Sequence, residues 1–389
     1  MKILIITFTF PPNKDGVSEA AAAISKGFCD KGWSVDILTE ACPDREGTAN
    51  TWNGAHIHEY HESEAKELVM SGSVDGGFPG FLLSKHWDLV IFQAYGVLLR
   101  KVLPILPEVS GRKVLVSHGF PGLVWERVPE FPYGLAHMFR RTLRALKLIK
   151  WHRKFDRVVF LSEQADLKGF YDHWLAKVSG YSGRVIIPNG VILSEKGNDP
   201  SGFRHKHQIP DDAFVFLCVA NYSPRKSQDY AVRAFRKAAI PNSYLVLIGS
   251  EFNSHSERFM GSDSAYAKAD DGKHVIWLEK QTRAQTLDAY AACQAFVLSA
   301  YHEAQPFVLL EAMREGKPWI ARRSGCIEIM EGGICVTSIG KMADAMRSLA
   351  STPSEVARLS REGLAAMAAK YNRETYVRRY CDLAEELQS

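Results

Sequence analysis

Short apolar runs recur along this chain with amphipathic stretches between them, and that alternation predicts the elements. Residues 2–8 (Lys-Ile-Leu-Ile-Ile-Thr-Phe) read as a buried strand, followed by further apolar runs at 34–38, 89–92, 113–117 and 158–161. A second series opens at 214–220 (Phe-Val-Phe-Leu-Cys-Val-Ala) and continues at 244–248, 274–277, 295–298 and 319–321. Strands alternating with helical stretches at this spacing predict α/β architecture: parallel sheets with helices on both faces, doubly wound, twice in tandem. Ligands of such sheets collect at the carboxyl ends of the strands, so two domains facing across a cleft would place a site between them. Between them, a run through Val185, Ile186 and Ile187 ends in the turn Pro188-Asn189-Gly190, and the polar, turn-rich stretch 193–202 follows. The expected domains are 1–190 and 191–372, with a last helix over 373–389 that is a candidate to cross back onto the first.

Composition narrows the class. At 389 residues the chain exceeds one ordinary core, and 46% hydrophobic with 24% charged residues suits a globular protein. A formal net charge of +4 is small for this length and does not call for nucleic acid. Seven scattered cysteines without a Cys-x-x-Cys pair suggest reduced thiols. The apolar amino terminus runs straight into Pro11-Pro12, too short for a spanning helix, so a cytoplasmic location is expected.

The run from Ser299 to Met313 carries the most chemistry, with Glu303 and Glu311 eight positions apart. The apolar residues ending at Leu298 read as a strand, and Phe307 onward reads as a helix with Pro306 in its first turn. Glu303 therefore falls on the strand-to-helix loop and Glu311 about two turns into the helix. Free N–H groups at a helix start suit an anion such as a diphosphate. Flanked by two carboxylates that accept from hydroxyls, such a cradle meets the needs of a nucleotide sugar.

Pro11 to Gly16 after the first strand, Ser117-His118-Gly119 after a later one, Pro188-Asn189-Gly190-Val191 at the joint, Pro224-Arg225-Lys226, and Glu303-x7-Glu311 occur in this order along nearly the whole chain. In that order and spacing the sequence resembles the family-four retaining glycosyltransferases of GT-B fold, two Rossmann-like domains. The resemblance implies a diphosphate clamp at Lys226, with Arg225 as a second cation. A further arginine usual in the family is here Asn221. It implies donor-sugar hydroxyls at Glu303, nucleotide ribose at Glu311, and phosphate at the N–H groups near Phe307 and Val308. The family's Gly-Phe-Gly is replaced by Ala304-Gln305-Pro306-Phe307, so Gln305 and Pro306 would shape the sugar pocket. Gly16 would lie on a loop approaching the phosphates, with Asp15 where relatives have a second glycine. His118 would contact the donor sugar or shape the acceptor site, and the loop 322–326 with Glu328 would help close around the nucleotide.

His56, His58 and His61 have metal-like spacing, but Glu59 and Glu62 make a polar strand edge equally natural. No Asp-x-Asp element is present, so no metal or other cofactor is expected. Residues 135–154 predict a basic amphipathic helix, with Leu135, Met138, Phe139, Leu143, Leu146 and Ile149 at helical spacing and Arg140, Arg141 and Arg144 among its cations. Such a helix either packs into the first domain or lies on anionic lipid at the inner face of the cytoplasmic membrane. Phe120 and Trp125 on the loop 120–125 are acceptor-side candidates. The expected activity is transfer of a hexose-type sugar from a nucleotide-sugar donor to a hydroxyl of a glycan or lipid-linked saccharide in polysaccharide synthesis. A catalytically silent nucleotide- or glycan-binding partner subunit, or a nucleotide-sugar epimerase or hydrolase, is the alternative.

Overall fold

The computed structural model describes residues 1–13, 15–45, 50–62, 67–71, 76–93, 95, 97–119, 133–163, 170–260 and 274–389. They form two compact units, Met1–Asn189 with Glu374–Ser389, and Gly190–Arg373.

In the first unit nine strands share a sheet: β1 (Lys2–Ile6), β2 (Ser34–Glu40), β3 (Thr51–Trp52), β4 (Ala55–Glu62), β5 (Leu68–Met70), β6 (Leu89–Gln93), β7 (Arg112–Ser117), β8 (Arg157–Phe160) and β9 (Arg184–Ile186). Their order is β3-β4-β2-β1-β6-β7-β8-β9, with β5 beside β4. β3 and β5 run antiparallel to β4, and the remaining pairs are parallel. The central strands are covered on both faces, which is why they read as unbroken apolar runs rather than alternating ones; every residue of β6 is buried. Helices α1 (Gly16–Asp30), α2 (Gly77–Ser84), α3 (Val97–Val102), α4 (Tyr133–His152) and α5 (Asp172–Val178) connect them. The strand order turns back between β1 and β6, so the first unit has its crevice at their carboxyl ends.

Two local features differ from the sequence pattern, and a third concerns the histidines of β4. β1 stops at Ile6, and Phe8 beyond it is 40% exposed. Among the described side chains of α4, Leu143 and Leu146 face solvent while Leu148 and His152 are buried with Ile149 packed beside them, so part of the expected stripe is covered and part is not. Leu148 packs with Leu175 of α5. His56 and His61 on β4 are exposed and His58 pairs with Asp36 of β2, so the three histidines do not converge. Phe120 and Trp125 lie outside the described residues, as do the side chains of Arg140 and Arg141. Among the described residues no helix is long and apolar enough to cross a membrane.

The second unit contains α6 (Pro200–Lys206), β10 (Phe214–Val219), α7 (Gln228–Ala238), β11 (Ser243–Gly249), α8 (Ser254–Met260), β12 (Val275–Glu279), α9 (Arg283–Ala292), β13 (Ala295–Leu298), α10 (Phe307–Arg314), β14 (Trp319–Arg322), β15 (Gly333–Val336), α11 (Ile339–Ser351) and α12 (Pro353–Ala369). Its sheet runs β12-β11-β10-β13-β14-β15, all parallel, and turns back between β10 and β13. Successive side chains feed opposite faces: Leu217, Phe296 and Trp319 one core, Phe216, Leu247 and Ile320 the other.

Helix α13 (Arg373–Glu386) rejoins the first unit. Gly27 of α1 admits it, since a Cβ there would stand 2.0 Å from Val377 Cγ1. Lys31–Glu385 at 3.1 Å and Arg157–Glu386 at 2.6 Å add ion pairs around the buried Tyr376, Tyr380 and Leu383.

Candidate active site

β10 and β13 are neighbours in the second sheet, pairing Phe216 with Ala295 and Leu217 with Phe296. The two loops that leave their carboxyl ends therefore emerge side by side. One carries Lys226 into α7 and the other carries Glu303 into α10. Ser299 joins them by donating its hydroxyl to the Lys226 carbonyl at 2.8 Å. Gln228 secures the first loop by donating its amide to the carbonyls of Ala220 and Asn221, at 3.1 and 3.0 Å. Across the gap, Lys226 Nζ forms an ion pair with Glu303 Oε1, both side chains mostly buried. Asn221 and Arg225 lie on the same loop with exposed side chains.

The Glu303 loop is braced from β14. Glu303 N donates to Ser324 Oγ at 2.9 Å, and that hydroxyl donates back to the Glu303 carbonyl at 3.1 Å. Cys326 N donates to the Ala304 carbonyl at 2.9 Å. Gly325 lies between them at φ +51°, where a Cβ would stand 2.2 Å from the Glu303 carbonyl oxygen. Only glycine fits that approach. The loop 322–326 thus holds the backbone of the Glu303 loop, and its Arg323 pairs outward with Glu328 at 2.8 Å. Arg322 lies over the Tyr230 ring at 4.4 Å.

Pro306 is the N-cap of α10, one residue earlier than its expected first-turn place, and supplies no capping side chain. The N–H groups of Phe307 and Val308 are left without a side-chain cap at the positive end of the helix. Gln305 and Pro306 are buried behind them. Further along α10, Glu311 is buried and engaged at both oxygens, Oε1 by Arg283 and Oε2 by the Tyr290 hydroxyl at 3.0 Å. Burial, then the Glu311 charge, holds the Tyr290 phenol well above its ordinary range, so it remains a donor. Arg283 also pairs with Glu195 at 2.6 Å, and Arg314 reaches the same carboxylate at 3.1 Å. The bond from Arg283 is the main reason Glu195 titrates below the usual carboxylate range. Arg283 and Tyr290 have no place in the sequence pattern, and Ser299 and Ser324 fall within its runs without a role. Of these only Arg283 had a local signal, the Thr282–Gln285 capping box that starts α9 beside it.

In the first unit His118 follows β7 and donates from Nε2 to Gln93 Oε1, the last residue of β6, at 2.8 Å. Burial lowers the His118 pKa to about 4, with Asp15 pulling weakly the other way, so the imidazole is neutral at pH 7. Gly16 is the first residue of α1, and Asp15 is its N-cap. Asp15 Oδ1 accepts from Val17 N at 2.9 Å, Ser18 N at 3.0 Å and Thr9 Oγ1 at 3.1 Å. The acidic neighbour therefore turns into its own helix, and the first N–H groups of α1 are already taken.

Two doubly wound sheets in tandem, each turning back at a crevice, are the GT-B fold. Residues 201–363, within the second unit, match the family model of glycosyl transferases group 1. No curated protein sequence matches it significantly. Solved structures share its fold over nearly the whole length at low identity. Sucrose-phosphate synthase from Thermosynechococcus elongatus has a TM-score of 0.77 and 18% identity, with 99% of this chain and 98% of that chain covered. HepE from Anabaena, solved with UDP-glucose, has a TM-score of 0.70 and 14% identity over 99% and 100%. WaaG, a glycosyltransferase involved in lipopolysaccharide biosynthesis, has a TM-score of 0.63 and 16% identity over 98% and 99%.

Proposed function

We propose that this glycosyltransferase moves a hexose from a nucleoside-diphosphate sugar to an acceptor hydroxyl with retention of configuration. The observation that carries the reading is the Lys226–Glu303 pair at the second switch point, beside the uncapped start of α10. In the resting chain each charge neutralises the other. An arriving donor offers both a better partner: the diphosphate takes Lys226 and the N–H groups of Phe307 and Val308, and sugar hydroxyls donate to Glu303. Those fixed donors lie where negative charge grows as the bond from the anomeric carbon to phosphate breaks. The acceptor oxygen bonds to the same face, and the leaving phosphate oxygen takes its proton. No enzymic nucleophile and no metal are used. Glu311 accepts the ribose hydroxyls, with Arg283 yielding Oε1 and Tyr290 holding the other oxygen. His118, neutral, serves the sugar or acceptor side.

A uridine base is favoured because HepE, of the same fold, was solved with UDP-glucose. A saccharide or lipid-linked saccharide acceptor in polysaccharide synthesis fits the likeness to WaaG. Leu143 and Leu146, exposed on α4 among Arg144, Lys147 and Lys150, support peripheral contact with an anionic membrane. Liposome binding unchanged by reversing those three charges would remove that part. The uncharged Asn221 favours a second reading, a silent nucleotide-binding partner. Thermal stability with UDP, GDP, ADP, CDP and their glucose conjugates separates the two when turnover is followed alongside. A ligand at 100 times its Kd adds about 2.7 kcal/mol to the folded state. Stabilisation by one base, lost in Glu311→Ala and Lys226→Ala, is expected; stabilisation without sugar transfer to any acceptor supports the silent partner.

A further inference from the structure

A cavity of about 310 Å³ opens at the first unit's own switch point. Its walls are Ile6, Phe8, Leu68, Phe92, Leu98 and Leu99. Pockets that bind small molecules are apolar with a few polar groups, and here those are Gln93, Tyr60, Tyr95, Glu40 and Glu62. Gln93 is 3% exposed, its Oε1 accepts from His118, and its Nε2 has no hydrogen-bond partner. A buried amide N–H left unpaired is costly, so a ligand oxygen that accepts from it is favoured. The ionisable groups of the lining bias the charge. Glu40 and Glu62 stand on the wall, Glu62 with Lys101 at 3.6 Å and Glu40 exposed. Tyr60 is held neutral, its pKa raised by burial and then by those two carboxylates. Nothing in this lining is cationic, so a phosphate or carboxylate is disfavoured.

Resting on the transferase reading above, we infer that this cavity receives a neutral apolar body of the acceptor, an aryl or alkyl group, with Gln93 donating to an oxygen on it. The volume is about twice the ~150 Å³ that holds one benzene ring, enough for a ring with attached carbons. Phe8, 40% exposed at the mouth, is the ring such a body covers on entry. A bare polyol would leave these walls wet, and a sugar phosphate would meet Glu40 and Glu62.

The test titrates the full chain, without donor, with phenyl β-glucoside, octyl β-glucoside, glucose and glucose 6-phosphate, then measures each as acceptor with UDP-glucose. The two apolar glucosides are expected to bind at least tenfold more tightly than glucose or its phosphate. Leu98→Trp, filling the cavity, should weaken them at least tenfold while UDP binding stays as it was. Phe8→Ala, at an exposed position that does not threaten folding, should weaken them several-fold through KM rather than kcat. Tighter binding of glucose 6-phosphate overturns the inference, as does glucoside binding indifferent to both substitutions. The titration reads the cavity even if no sugar is transferred. Absent UDP binding would instead count against the transferase reading, leaving the two failures distinguishable.

Discussion

In the second unit the crevice between β10 and β13 holds opposite charges, Lys226 against Glu303, and a helix start that Pro306 leaves open. In the first unit the matching crevice between β1 and β6 is walled by Ile6 and Phe92, with a neutral amide–imidazole pair at its edge. The helix after β1 is closed by its own Asp15. In each sheet the strand order reverses at the turn-back point, so topology chooses where a ligand sits and loop residues choose which ligand. A charged, donor-rich crevice suits a diphosphate. An apolar one suits the carbon framework of whatever receives the sugar.

The contrast breaks most readily at Lys226. Lys226→Ala should lower kcat by on the order of 10²–10³, the usual effect of removing one donor aimed at developing charge. It also leaves Glu303 unpaired, so steady-state kinetics should be read on protein shown to be folded by circular dichroism. Next in size, Gly325→Ala forces a side chain into left-handed backbone against the Glu303 carbonyl. A cost of about 1–3 kcal/mol is expected from the backbone strain, with lost activity because Glu303 is displaced; a urea melt and an assay together check this. Smaller still, Asp15→Ala should cost about 1 kcal/mol, the worth of an N-cap, lowering Tm by roughly 2–4 °C while donor KM stays within about twofold. A donor KM that rises sharply would mean that the start of α1 does meet the phosphates.

The mildest test is pH. His118 and His152 both have folded pKa values lowered by burial from 6.5 to about 4. Between those values the unfolded chain takes up protons that the folded chain refuses. Their contribution is complete above pH 6.5, declines as pH falls and is gone below about 4. Tm measured across that range should fall less steeply in His152→Gln than in the parent chain.

Much of this was legible in the sequence. Buried parallel strands announce themselves as apolar runs, and the Glu303–Glu311 spacing marked a loop and helix where both exist. β15 escaped notice because Gly333 opens it: the Trp319 ring fills the space a Cβ would need, 2.0 Å away, leaving a short strand with little apolar signal. On α4 the spacing of Leu143 and Leu146 was helical, but spacing does not say which stripe finds a neighbour; Leu148 and His152 did. The bracing of Glu303 by Ser324, and of Glu311 by Tyr290, joins residues about twenty positions apart through the sheet. Nothing local in a sequence encodes such meetings. Asp15 did carry a local signal, a helix N-cap, which explains its place without any ligand.

Helix α13 belongs to the unit whose other strands and helices are translated before residue 190. A ribosome adding roughly 5–20 residues per second makes the whole of Gly190–Arg373 before that helix emerges. The later unit can therefore be finished while the earlier one still lacks Tyr376, Tyr380 and Leu383 from its core. During that interval the surface of α1 around Gly27 stands bare. A chain cut short after Arg373 should accordingly be cut by protease in the first unit and spared in the second.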